Sequence, residues 1–144
     1  MNILVINESS TRAPRKFIQK WCLKIQKQLV SRKLLPPDKR NLELTLVFLN
    51  RGAAKKLNKD FRGKNYATDV LSFLSMDEES LGELVVCPHV LRAQAKEHGL
   101  TYKLELGYMI LHGLLHLLGY DHEKNKAEAD EMFQIQDEIF AEIQ

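Results

Sequence analysis

The sequence has little cysteine, with only Cys22 and Cys87 in 144 residues and a long stretch between them. That excludes a small fold stapled by disulfides. With no signal segment at the N-terminus, both are expected to be free thiols packed in the core of a cytoplasmic protein. Long apolar runs are missing too. The longest, from Leu104 to Leu118, is interrupted by Glu105, His112 and His116 and is too short to cross a bilayer, so no membrane partner is expected. The chain also has no internal repeat, low-complexity tract or linker. Residues 1–144 therefore read as a single domain of ordinary globular composition, 44% hydrophobic and 28% charged.

The formal net charge of +2 conceals a division along the chain. Residues 1–64 hold 16 Lys or Arg against 4 Asp or Glu, whereas residues 65–144 hold 5 against 15. A surface of one sign attracts a polyanion, and nucleic acid is the commonest large one. Lysines fall at helical spacing in two places, Lys16, Lys20, Lys24 and Lys27, and Lys55, Lys56 and Lys59.

Periodicity supplies the elements. Asn2 to Asn7 reads as a strand. Pro14 opens a helix whose stripe is Phe17, Ile18, Trp21, Ile25, Leu29 and Val30. Leu42 to Phe48 is a second strand. Asn50 is placed to cap a helix running through Phe61, with Ala53, Ala54, Leu57 and Phe61 facing inward. The polar stretch from Arg62 to Asp69 is a loop leading into a strand at Val70 to Leu74. Leu81 to Cys87 returns as its antiparallel neighbour. Pro88 starts a third helix that Gly99 stops, and Thr101 begins a fourth. A last helix, from about Ala127 to Ile143, turns Met132, Phe133, Ile139, Phe140 and Ile143 inward. The order βαβαββααα argues an α+β fold, a small mixed four-stranded sheet covered by about five helices.

Three of the five histidines lie within the eleven residues from His112 to His122. His112 and His116 are four apart, so on a helix they sit one turn above each other and can share an ion. Gly119 can end the helix and reverse the chain, bringing His122 back. Leu114, Leu115, Leu117 and Leu118 offer neither a ligand atom nor a hydrogen-bond partner. Three imidazoles with a fourth position open describe a catalytic zinc site at the end of the fourth helix, because structural sites are closed by four protein ligands. The spacing equals that of metzincin proteases, but their general-base glutamate is replaced by Gly113.

These residues and the stretch upstream resemble the YbeY family of bacterial metal-dependent endoribonucleases across nearly the whole chain. The family's H-G-x-L-H-L-x-G-Y-D-H block is present at 112–122. Its R-G-K-x-x-x-T-D-V-L-S-F block appears as Arg62-Gly63-Lys64 and Thr68 to Phe73, and its L-G-D segment as Leu81-Gly82-Glu83. Ala67, Leu74 and Glu83 depart from the usual pattern. The resemblance implies a single-strand-specific endoribonuclease with one Zn2+ per chain. It would act in ribosomal RNA maturation near the 3′ end of small-subunit 16S RNA and in ribosome quality control, with ribosomal subunits and ribosome-associated proteins as partners. Two other readings share these features, a metzincin-like metalloprotease and a non-catalytic ribosome-binding factor that zinc merely stabilises.

His112, His116 and His122 are the candidate metal ligands, and His116 and Arg62 the candidate catalytic residues. A guanidinium matches phosphate in a two-pronged geometry that lysine cannot reproduce. Arg62, Lys64, Lys16, Lys20, Lys24, Lys55 and Lys56 are candidates for RNA contact. Asp121 and Glu105 are candidates to hydrogen-bond and orient a liganding imidazole. His89 and His98 lie outside this spacing.

Overall fold

A computed structural model describes residues 1–144. The strands are β1 (Asn2–Asn7), β2 (Glu43–Phe48), β3 (Val70–Leu74) and β4 (Ser80–Val86). The helices are α1 (Arg15–Ser31), α2 (Arg51–Arg62), α3 (Pro88–His98), α4 (Tyr102–Leu117) and α5 (Lys126–Ile143), with a single 3-10 turn at Pro37–Lys39. The sheet order is β1-β2-β4-β3. β1, β2 and β4 are parallel, while β3 runs antiparallel to β4 with Val70 opposite Val86 and Leu74 opposite Gly82. The mixed sheet and the order of elements match the sequence expectation, and β3 is left as an edge strand.

Strand alternation divides the interior. Val70, Leu84 and Val86 point into a cluster of 26 buried apolar residues shared with α1, α4 and α5, whereas Leu71 and Val85 join a cluster of five with Ala54 of α2. One face of the sheet thus carries a thick helical layer and the other a thin one. α1 and α2 lie on opposite faces.

α4 is the central helix. From Met109 to Leu117 only His112 and His116 escape full burial, as expected of a helix that is apolar all round. Thr101 Oγ1 accepts from the Leu104 N–H at 3.2 Å and caps its start. Trp21 of α1 donates from Nε1 to the Gly107 carbonyl at 2.8 Å, and a Cβ at Gly107 would come within 2.5 Å of that indole. α1 and α4 approach so closely only because residue 107 has no side chain.

Three expectations from periodicity need correction. In α2 the buried residues are Ala54 and Asn58, with Leu57 partly covered, while Ala53 and Phe61 face outward. The stripe continues to Phe61 in sequence, but Phe61 lies at the end of α2, where its ring meets that of Phe73 and stays largely exposed. Asn58 takes an inward place because its Nδ2 donates to the Tyr66 carbonyl at 2.8 Å, pinning the loop after α2. Asn50 occupies the cap position of α2, yet its Oδ1 accepts from the Ser10 N–H and hydroxyl, tying α2 to the loop after β1. Phe133 is partly exposed rather than buried, lying against the histidine cluster.

α3 is fastened to α4 by a charge. Glu105 is fully buried, and both its oxygens lie 3.0–3.1 Å from Nδ1 of the exposed His98. A buried carboxylate without a partner is strongly destabilising. The hydrogen bond to Glu105, then its charge, and to a lesser extent Glu97 raise the His98 pKa, partly offset by burial. A group whose pKa rises on folding stabilises most below its unfolded value and loses that contribution as pH climbs through the folded value. Replacing His98 by Gln should therefore lower stability most below about pH 6.5. The gap from the unaltered protein should narrow as pH rises, in denaturant melts across a pH series; a gap that widened would show that the pair does not act through charge.

Candidate metal centre

The last turn of α4 and the reversal after it build the centre. His112 and His116 present one face of α4, and Gly119, at φ +102°, turns the chain. The Tyr120 N–H returns to the Leu115 carbonyl at 3.1 Å, and Asp121 Oδ1 accepts from the Glu123 N–H at 2.8 Å. These bonds carry His122 back over the helix end. Nitrogens of His112, His116 and His122 then lie within 4.8 Å of one another, and the ring centroids are 4.7–5.0 Å apart.

The outer nitrogens are committed. His116 Nδ1 lies 2.9 Å from the Tyr120 carbonyl, which can only accept, so His116 carries its proton there and its Nε2 is a bare lone pair. His112 Nδ1 lies 2.8 Å from Gln136 Oε1, which assigns the same tautomer. The two Nε2 atoms stand 3.2 Å apart. Two lone pairs facing each other repel unless a cation lies between them. Ligands at about 2.0–2.1 Å on a tetrahedral ion lie roughly 3.3 Å from each other, so the spacing fits. Nδ1 of His122 is buried with no hydrogen-bond partner in the chain. Burial holds the His112 and His116 pKa values below the ordinary imidazole value, leaving both rings neutral and ready to bind a metal at neutral pH. The residues present fit a bound metal ion.

The centre opens into a cleft of about 730 Å³ bounded by β3, the end of α2 and the loop after α4. Arg62 lines it, with its Nη2 3.5 Å from the Glu123 carboxylate. Asp69 also lines it, its Oδ1 accepting from the Val70 N–H at 2.7 Å and its Oδ2 from Gln94 Nε2 at 3.2 Å. Ser72 donates to the Gly113 carbonyl at 3.4 Å and ties β3 to α4.

Lys124 lines the cleft as well, but the sequence-predicted lysines do not. Lys64 is exposed in the loop after α2, and Lys55 and Lys56 are exposed on α2 itself. Lys16, Lys20 and Lys24 are exposed on α1, across the sheet from α2, with Lys24 Nζ donating to the Ile143 carbonyl at the end of α5. Neither proposed ring-orienting carboxylate is hydrogen-bonded to His112, His116 or His122. Glu105 is on the face of α4 that His112 shares, but its carboxylate is taken by His98. Asp121 shapes the turn.

The groups that do hold the rings, Gln136 and the Tyr120 carbonyl, were not read from sequence. A backbone carbonyl leaves no sequence signal. Gln136 left one, because it interrupts the stripe Met132, Ile139 and Ile143 of α5 and is itself fully buried. A polar residue at such a position needs a partner inside.

Gly113 separates this centre from a protease site. A Cβ there would lie 2.7 Å from Leu84 Cδ2 and 3.3 Å from the Ser72 hydroxyl, and Leu84 is itself fully buried. The position faces the sheet, so a side chain there would have to displace the buried Leu84.

Comparisons with known proteins agree with this geometry. A family model described as Endoribonuclease YbeY matches residues 4–144. A Bdellovibrio bacteriovorus protein named Endoribonuclease YbeY is 62% identical over 140 residues, 97% of this chain and 93% of its own. A Persephonella marina protein of that name is 36% identical over 152 aligned positions, covering 99% and 94%. A solution structure of a Thermotoga maritima protein superposes with a TM-score of 0.67 at 30% identity, covering 98% of this chain and 88% of that one.

Two substitutions test the construction of the centre. Gln136→Leu should leave the fold intact but weaken metal binding by about 10- to 100-fold, since loss of an outer hydrogen bond to a ligand has that effect; competition with a chromogenic chelator would measure it, and an unchanged affinity would show that Gln136 does not orient His112. Gly113→Glu should create no proteolytic activity and should lower stability by about 3 kcal/mol or more through overpacking and a buried charge, read from a thermal melt.

Proposed function

The chain belongs to the YbeY family of endoribonucleases, and from that premise we propose that it is a zinc-dependent hydrolase of single-stranded RNA. Its proposed substrate is ribosomal RNA near the 3′ end of the 16S molecule. It would work in the cytoplasm on ribosomal subunits and with ribosome-associated proteins, in rRNA maturation and ribosome quality control. The observation that carries the reading is the convergence of three imidazoles in an open cleft that Arg62 also lines.

His112, His116 and His122 would hold one zinc ion. When bound, the ion supplies Lewis-acid charge that offsets the negative charge gathering on a phosphate under attack. The protein's own groups do the rest. Gln136 and the Tyr120 carbonyl keep the inner nitrogens of His112 and His116 pointed into the cleft, so no reorientation is needed when substrate arrives. Arg62 is poised in the cleft by a loose ion pair with an exposed carboxylate, a contact of little intrinsic strength. A phosphate can replace Glu123 and accept two hydrogen bonds from the guanidinium. Interactions that strengthen as charge builds on phosphorus accelerate the reaction, whereas those equal in the ground state only tighten binding.

Lys64, Lys55 and Lys56 share α2 and its following loop with Arg62 and would extend a phosphate track from the cleft. Lys16, Lys20 and Lys24 would serve a separate stretch of backbone, given their place across the sheet. RNA affinity should fall with salt at a slope near −0.7 in log–log form for each phosphate neutralised on a single strand. Reversing the charge of Lys55 and Lys56 should flatten that slope; an unaltered slope would remove them from the contact surface.

The purified protein should contain about one zinc per chain and cleave single-stranded RNA, and His116→Ala should lose both properties. Elemental analysis and a gel-based cleavage assay check this, and equal cleavage by the variant would refute the reading. Arg62→Ala should retain zinc and fold, yet cleave saturating RNA in a single turnover on the order of a hundredfold more slowly. Wild-type turnover with weaker binding would reduce Arg62 to a positioning contact.

A further inference from the structure

Phe61 is the last large apolar residue of α2, adjoins Arg62 and lines the same cleft. It is 67% exposed, although burying a phenylalanine side chain is worth about 2 kcal/mol. The ring is nonetheless held in place. It meets Phe73 of β3 in an edge-to-face contact, with centroids 5.3 Å apart and planes at 76°, a geometry that gives an aromatic pair a defined orientation. Such a contact occupies at most one face of Phe61, so a whole face remains open beside the cleft. Of the other aromatic rings near the centre, Phe133 is already engaged with His112 and His122 and is only 39% exposed, and Tyr120, which also lines the cleft, is half-buried.

We propose that Phe61, supported from behind by Phe73, is a base-stacking subsite that receives the nucleobase of an RNA nucleotide next to the one whose phosphate enters the metal centre. The inference rests on the endoribonuclease reading above and adds the group that selects single strands. Two observations, and the chemistry of nucleic acids, favour a base as the occupant. The open face is continuous with the catalytic cleft. Its neighbour in the chain is Arg62, which lines the same cleft, so one helix end offers a cation for the backbone and a π-face for the base. The bases of a duplex are already stacked on each other, so only an unpaired one can lie on a protein ring. Stacking is indifferent to base identity because every base has a π-face, so the subsite selects strandedness and not sequence.

The test uses the full-length, zinc-loaded protein and a short single-stranded RNA in which 2-aminopurine is placed at each position in turn, followed by stopped-flow fluorescence before turnover. One position should be quenched on binding to the wild type and to Phe61→Trp, but not to Phe61→Ala or Phe61→Leu. Leu keeps apolar bulk over Phe73 without a π-face, so its agreement with Ala, together with unchanged melting curves, separates stacking from folding. Affinity for the single strand should fall on the order of tenfold in both variants. An abasic nucleotide at the quenched position should weaken wild-type binding by a similar factor and leave Phe61→Ala unaffected, and duplex affinity should be the same in all proteins. If Phe61→Ala matches the wild type in affinity and quenching, the stacking subsite is overturned and the exposed ring is left as a contact for a protein partner. If the wild type itself neither binds nor cleaves single-stranded RNA, the endoribonuclease reading fails and the subsite fails with it.

Discussion

Two hydrogen bonds made by the outer nitrogens of α4 govern what this molecule can do. His116 donates to the carbonyl of Tyr120 and His112 to the side chain of Gln136, and each bond decides which ring nitrogen is left bare toward the cleft. The first depends on the reversal at Gly119, because Tyr120 is in place only when the chain turns back on itself. The second depends on α5, whose apolar stripe must pack on α4 to bring Gln136 within reach. The metal centre is thus the joint product of a helix end, a turn and a neighbouring helix. Loosening any of them frees a ring to rotate or to exchange its proton position.

The surrounding packing explains why these bonds hold. α4 is buried on nearly every side, fixed to α1 through Trp21 and Gly107, to β3 and β4 around Gly113, and to α3 through His98 and Glu105. Two close approaches rely on glycine, and a larger residue would push α4 off α1 at Gly107 and off the sheet at Gly113. The same closeness removes the one position at which a metzincin-type base would stand. The chemistry left to the centre is therefore that of three clustered imidazoles, an arginine lining the cleft and an open approach for an extended polyanion. The division of charge along the chain belongs to this picture, since the basic half includes α2, which ends at Arg62 on the rim of the cleft.

The sequence and the structure agree where the signal is local. His112, His116 and His122 were legible because a four-residue spacing on a helix and a glycine-directed reversal are short-range facts. Strand and helix order followed from hydrophobic period for the same reason. Disagreement began at the margins of elements. Phe61 carries the right spacing for a buried residue, but at the end of α2 its ring stays largely exposed. Glu105 lies on the right face of α4 for a contact with His112, but an exposed histidine from another helix claims its carboxylate. The lysine faces were visible as faces, yet only the fold shows that those of α1 and α2 lie on opposite sides of a sheet.

The sequence by itself determined the three-histidine group, the order of elements and the mixed character of the sheet, because each is written in spacing of a few residues or in the identity of a glycine; Arg62, read from sequence as the start of a loop, is instead the last residue of α2. Only the tertiary structure decided that Gln136 and the Tyr120 carbonyl orient the rings, that Gly113 faces the sheet, that Arg62 reaches the cleft and that Phe61 stands open beside it. These depend on which element packs against which, and at what distance. Such contacts join residues far apart in the chain, and the free energy that selects them is a sum over the whole core, which no local pattern records.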